Sequence, residues 1–191
     1  MFTYIENILP LALAEKIHKD HFEIKDTDKS SYDRWNDFST GNKTLPEVYI
    51  EPLSKSVVLE ITTHLYNDPN SPFYDDKLIR NTDGAVQKYP TGSILPMHRD
   101  SALYSITIFL NKDWTAEDGG QFAWRDDETN ILQLVQPKFN CGVFYKGSMD
   151  TKSSYHGMPV NLSQKTRVGL QLFTWKPSKT ANPTAILLEN Q

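Results

Sequence analysis

Cysteine is almost absent from this chain: Cys141 is the only one in 191 residues. A lone thiol excludes an intramolecular disulfide framework and fits a reducing compartment. A Lys/Arg-rich stripe is also missing. The 20 basic and 24 acidic residues leave a net charge of −4, so the electrostatic footprint of a nucleic-acid binder is lacking. Long apolar runs are missing too. The stretch Ile8-Leu9-Pro10-Leu11-Ala12-Leu13-Ala14 is too short to span a bilayer, has no basic leader and passes straight into Glu15-Lys16, as the start of a helix would. No internal repeat is present. These absences lead us to expect one soluble, cytoplasmic domain over residues 1–191, long enough to bury a substantial core. A helical N-terminal part over 1–76 and a strand-rich core over 77–177 are expected within it.

Residues 1–8 begin with a strand-like piece. Over 11–22, Leu11, Leu13, Ile17 and Phe22 alternate with charges in the pattern of a helix laid on a sheet. His18 and His21 on that helix read as solvated or packing residues. Residues 23–48 are polar but contain Tyr32, Trp35 and Phe38. They read either as a surface loop anchored by aromatics or as a lid, since loops of such length are uncommon unless functional or disordered. A second helix is expected over 54–67, with Val57, Leu59, Ile61 and Leu65 among its apolar positions. From Lys77 onward the chain is strand-rich. Strands are expected near 83–89, 103–110, 120–124, 131–136, 142–146 and 167–175. Many short strands separated by turns suggest a sandwich or jelly roll.

His98-Arg99-Asp100 sits between the turn Tyr89-Pro90-Thr91-Gly92 and a strand-like run. A His and an Asp two residues apart on an extended segment point to the same side, so both can reach one metal. The candidate third ligand is His156, because two His and one carboxylate make a facial triad suited to non-haem Fe(II). In the run that opens at Arg167, alternation places Arg167, Gly169, Gln171 and Phe173 on one face and Val168, Leu170 and Leu172 on the other. A guanidinium on the polar face would suit a carboxylate held by paired hydrogen bonds.

Taken in order, Gln87-Lys88-Tyr89-Pro90, His98-Arg99-Asp100, Ile108-Phe109-Leu110-Asn111-Lys112-Asp113-Trp114, Gly119-Gly120-Gln121-Phe122, Pro137-Lys138-Phe139, His156 and Arg167 resemble the 2-oxoglutarate and Fe(II)-dependent oxygenases, specifically their prolyl hydroxylase branch. The resemblance covers about half the chain. It implies a mainly β fold with flanking helices (α+β), a double-stranded β-helix or cupin-like jelly roll, with the early helices on one outer sheet. It implies a catalytic Fe(II) held by His98, Asp100 and His156. It further implies 2-oxoglutarate chelating that iron, with its distal carboxylate at Arg167 and Lys165 as the fallback cation. Tyr89 and Gln171 are taken as further cosubstrate contacts, and ascorbate as a candidate reductant. Phe109 stands where close relatives carry a tyrosine that helps hold the distal carboxylate.

The activity implied is hydroxylation coupled to conversion of 2-oxoglutarate and O2 to succinate and CO2. Related halogenases replace the carboxylate ligand with a small residue, so Asp100 points to hydroxylation. The expected substrate is a prolyl residue in a peptide or protein; the alternative is a free amino acid or small amino-acid-like metabolite. A non-catalytic jelly-roll binding module is a third reading, and no nucleic-acid or membrane partner is expected. Asn111 to Gly120 reads as a strand end and structural hairpin, and Trp124 and Arg125 as either substrate contacts or an exposed edge.

Overall fold

The computed structural model describes residues 2–30, 48–67, 81–125, 129–146 and 155–175. Tyr32, Trp35 and Phe38 lie outside these residues, as does the boundary expected at residue 77. Strand β1 (Phe2–Ile5) leads to helix α1 (Leu11–His21), then β2 (Lys29–Ser30), β3 (Tyr49–Pro52) and helix α2 (Lys55–Asn67). The strand-rich part runs through β4 (Thr82–Tyr89), β5 (Leu95–His98), β6 (Tyr104–Phe109), β7 (Phe122–Arg125), β8 (Leu132–Val135), β9 (Gly142–Lys146), β10 (His156–Met158) and β11 (Arg167–Thr174).

These strands form a seven-stranded sheet ordered β1-β9-β6-β11-β4-β3-β2 and a four-stranded sheet ordered β5-β10-β7-β8. Every pairing is antiparallel. The architecture is the expected jelly roll, with both helices on the outer face of the larger sheet. Among the described residues, no helix is long and apolar enough to cross a membrane.

The main core lies between that outer face and the helices. Val86, Ile106, Ile108, Val168, Leu170 and Leu172 pack with Leu13, Ala14 and Ile17 of α1 and with Ile61, Leu65 and Tyr66 of α2. Each large apolar side chain buried there contributes roughly 1.5–3 kcal/mol relative to exposure. The helix faces differ from expectation in one respect. Leu11 opens α1 and is 64% exposed, the buried residues of that helix being Leu13, Ala14 and Ile17; Leu59 is 53% exposed because the buried stripe of α2 follows Val58, Ile61, Thr62, Leu65 and Tyr66, the spacing of one helical face. Leu59 falls on the flank of that stripe.

The expected strands are present to within a few residues, whereas β2, β3, β5 and β10 were not anticipated. β10 has only the residues His-Gly-Met, and β5 contains Pro96, which an edge strand tolerates. The expected hairpin over Asn111 to Gly120 is instead a crossover, since β6 and β7 belong to different sheets. Residues Ala116–Asp118 form a 3-10 turn capped by Thr115 and Asp118, and the Trp114 indole N–H donates to the Gly119 carbonyl at 2.9 Å. His18 and His21 are packing residues: His18 lies on Phe22 and 2.8 Å from the Leu110 carbonyl, and His21 pairs with Glu51.

Lys88 projects from β4 and is fully buried. Its ammonium donates to Asp28 Oδ2 at 2.5 Å, to Glu51 Oε2 at 2.9 Å and to the Glu23 carbonyl at 2.6 Å. This cluster ties residues 23–28 and β3 to the sheet. Burial alone would raise the Glu51 carboxyl; hydrogen bonds from Lys25, Lys88 and His21 outweigh it and pull the group from 4.5 down to about 2. A folded value below the unfolded one gives stability that is complete above pH 4.5 and is lost as pH falls from there through about 2. Lys88→Met strands the buried Asp28 carboxylate and is expected to lower stability in urea unfolding at neutral pH by about 3–5 kcal/mol. The deficit relative to wild type should shrink as the carboxylates protonate.

Candidate active site

Strands β5 and β10 bring two histidines face to face. His156 is the register partner of His98, and their rings lie 4.4 Å apart between centroids. Gly157 permits this approach: a Cβ there would lie 2.6 Å from the Leu95 carbonyl oxygen. His98 Nδ1 donates to the Pro96 carbonyl at 2.8 Å, which turns Nε2 toward Asp100. Just past the end of β5, Asp100 turns back toward both rings. Its Oδ1 is 3.4 Å from His98 Nε2 and its Oδ2 is 3.7 Å from His156 Nε2. The ligand atoms of all three residues lie within 4.8 Å of one another.

Asp100 and His156 are buried, and His98 is half-buried. Burial opposes the Asp100 charge, but the hydrogen-bonding His98 and the charges of His156 and His98 overcome it and hold the carboxyl at about 2. An ionised carboxylate therefore faces two imidazole nitrogens. A cation placed between them satisfies all three groups, and this donor set suits Fe(II). The residues fit a metal.

Across the same cavity, Arg167 opens β11 opposite Tyr89 of β4. Its guanidinium lies 5.2 Å from the Tyr89 ring centroid and 5.4 Å from that of Phe109. The phenylalanine offers a π face where a tyrosine would offer a hydroxyl. Arg167 Nε is buried without a hydrogen-bond partner, and among the described residues no carboxylate pairs with the guanidinium. Burial lowers this group to about 10, with Tyr89 opposing that shift, so it is cationic at neutral pH. Gly120, at φ 61°, lets the chain press against the arginine: a Cβ there would lie 3.0 Å from Arg167 Cδ. Lys165 points away, its ammonium donating to the Asp113 carbonyl at 2.6 Å on the surface.

The cavity is lined by both groups of residues and by Gln87, Tyr89, Thr107, Phe122, Tyr145 and Gln171. Burial pushes the Tyr89 hydroxyl up to about 12 against the lowering effect of Arg167, and that hydroxyl donates to Gln87 Oε1. Gln171 accepts from Thr107 at 2.5 Å and donates to the Tyr145 hydroxyl at 3.1 Å. Tyr145 in turn donates to Asp100 Oδ2 at 3.0 Å. Thr107 and Tyr145 were not anticipated from sequence. Strand parity with Phe109 could have pointed to Thr107, but nothing local marks Tyr145. Trp124 stacks on Phe2 at 4.6 Å, and Arg125 lies 4.6 Å from the Tyr155 ring centroid.

A donor set of two imidazoles and one carboxylate on one side leaves the remaining positions of an octahedral ion open, the property that defines non-haem iron oxygenase centres. Residues 84–175, just under half of the chain, match the family model described as the 2OG-Fe(II) oxygenase superfamily. The matched segment contains the clustered His98, Asp100 and His156 and also Arg167, so the site lies within the part of the chain that is similar to Fe(II)- and 2-oxoglutarate-dependent oxygenases. No curated protein sequence matches the chain.

Solved structures share the fold at low identity. A Pseudomonas putida prolyl-4-hydroxylase is 14% identical with a TM-score of 0.62, covering 93% of each chain. A Trichoplax adhaerens prolyl hydroxylase, in complex with a hypoxia inducible factor peptide fragment, is 14% identical with a TM-score of 0.57, covering 91% of this chain and 83% of its own. HygX from Streptomyces hygroscopicus, with nickel, 2-oxoglutarate and hygromycin B bound, is 12% identical with a TM-score of 0.58, covering 92% and 83%.

A buried guanidinium with no anion of its own should select the cosubstrate. Arg167→Ala is expected to weaken 2-oxoglutarate binding by about 3–5 kcal/mol in calorimetry while metal uptake persists. Lys165→Ala is expected to bind it as wild type does. A larger loss in the lysine variant would reverse the two assignments.

Proposed function

We propose that the protein hydroxylates a prolyl residue in a peptide or protein, converting 2-oxoglutarate and O2 to succinate and CO2 as it does so. The observation that carries the oxygenase chemistry is the convergence of His98, Asp100 and His156 in one cavity with the unpaired Arg167. The prolyl assignment draws support from the prolyl hydroxylases that share the fold, one of them bound to a peptide. A free amino acid or small amino-acid-like metabolite is the second reading; the hygromycin B bound in HygX supports a small compound as substrate of this fold.

In this reading His98, Asp100 and His156 hold Fe(II), and Arg167 holds the distal carboxylate of 2-oxoglutarate. When bound, iron and cosubstrate together supply O2 activation, one oxygen atom entering a substrate C–H bond and the other ending in succinate. The chain's own residues orient and shield this chemistry. The Pro96 carbonyl fixes the His98 tautomer. Phe122, stacked on His156 at 5.4 Å, excludes water from that ligand. Tyr89 and Phe109 present their rings to the guanidinium.

His98→Ala and His156→Ala are each expected to abolish succinate formation, because the two remaining donors no longer hold a metal in a defined open geometry. Near-wild-type iron content and turnover in either variant would remove the assignment. A mass-spectrometric screen of proline-containing peptides and free amino acids for a gain of one oxygen decides between the substrate readings. Modification of free compounds alone would favour the second.

A further inference from the structure

One buried side chain in the cavity has no role in the reading above, yet it touches the proposed metal ligands directly. Tyr145 is fully buried on β9. Its hydroxyl oxygen lies 3.0 Å from Asp100 Oδ2 and 3.0 Å from His156 Nε2. Its ring is held on three sides, by Phe2 at 5.0 Å, Phe122 at 5.7 Å and His156 at 4.4 Å between centroids. A ring packed this way has little freedom to move its hydroxyl, so the contact with Asp100 is set by the fold.

The direction of the hydrogen bonds matters as much as their presence. The Thr107 hydroxyl donates to Gln171 Oε1, so the Gln171 amide turns its N–H₂ toward Tyr145. Tyr145 accepts that N–H and has one proton of its own to give, which goes to Asp100 Oδ2. The three bonds run one way, Thr107 to Gln171 to Tyr145 to Asp100, and end on an anionic oxygen, where such a bond is strongest. One carboxylate oxygen is thereby engaged by the protein. The other, Oδ1, faces His98 Nε2 at 3.4 Å.

We propose that Tyr145 is a positioning residue whose hydroxyl occupies Asp100 Oδ2 and restricts the carboxylate to offering Oδ1, so that the metal keeps open the positions that cosubstrate and O2 require. The inference rests on Asp100 being a metal ligand, as proposed above. Gln171 then has a use beyond cosubstrate contact: with Thr107 it orients the proton of Tyr145. Partners that orient a metal ligand typically change metal affinity or activity by about 10–100-fold when removed.

The test is Co(II) binding to the full chain without cosubstrate, followed by titration and by the visible absorption of the bound ion. Tyr145→Phe removes only the hydroxyl and keeps the packed ring. It is expected to bind Co(II) about 10–100-fold more weakly, with altered visible bands and an unchanged melting temperature. Gln171→Met, which removes the donor that orients Tyr145, should shift both readouts in the same direction by less, and Thr107→Val by less again. Wild-type affinity and an identical spectrum in Tyr145→Phe would overturn this inference while leaving the metal site standing. Co(II) binding that survives His98→Ala unchanged would overturn the metal site and the inference together.

Discussion

The structure depends on β11 being covered on both faces. Its backbone pairs with β4 on one side and β6 on the other, so each side chain must go either outward to the helices or inward to the cavity. Val168, Leu170 and Leu172 go outward and build the core. Arg167, Gly169 and Gln171 go inward and line the site. A one-residue slip would exchange the two sets, burying a guanidinium among aliphatic side chains. The stability of the core and the placement of the site are therefore specified by the same alternation.

Three buried charges show how this frame treats ions. Lys88 is compensated within the chain by Asp28 and Glu51, and the cluster fastens the segment before β3 to the sheet. Asp100 sits among imidazoles that keep it ionised but themselves suit a shared cation. Among the described residues, Arg167 has rings and no anion beside it. An unsatisfied buried donor costs about 1–3 kcal/mol, and a ligand carboxylate would remove that cost. The cavity is thus short of one cation at one end and one anion at the other. An iron-bound 2-oxo acid with a distal carboxylate has the complementary charges.

Much of the fold was legible because it rests on local periodicity. The helices and the six expected strands carry patterns of 3.6 or 2 residues that read as faces. β2, β3, β5 and β10 were not legible because two to four residues, with a proline in β3 and in β5 and a glycine in β10, show no period. The crossover after Asn111 looked like a hairpin because its glycines do adopt turn conformations. Only the pairing partners of β6 and β7 reveal that the chain changes sheets there.

The sequence by itself determined the chemistry available: a His and an Asp two residues apart, a later His, and an arginine on the polar face of an alternating strand. Side-chain direction along one extended segment is set by the backbone, so these features can be read without the fold. Only the tertiary structure decided which groups meet. The approach of His156 to His98 depends on the pairing of β10 with β5 and on the absence of a side chain at Gly157. Arg167 rather than Lys165 faces the cavity, and Tyr145 reaches Asp100 across the space between two sheets. Such contacts arise from register and sheet packing between segments distant in the chain, and no local pattern of residues encodes them.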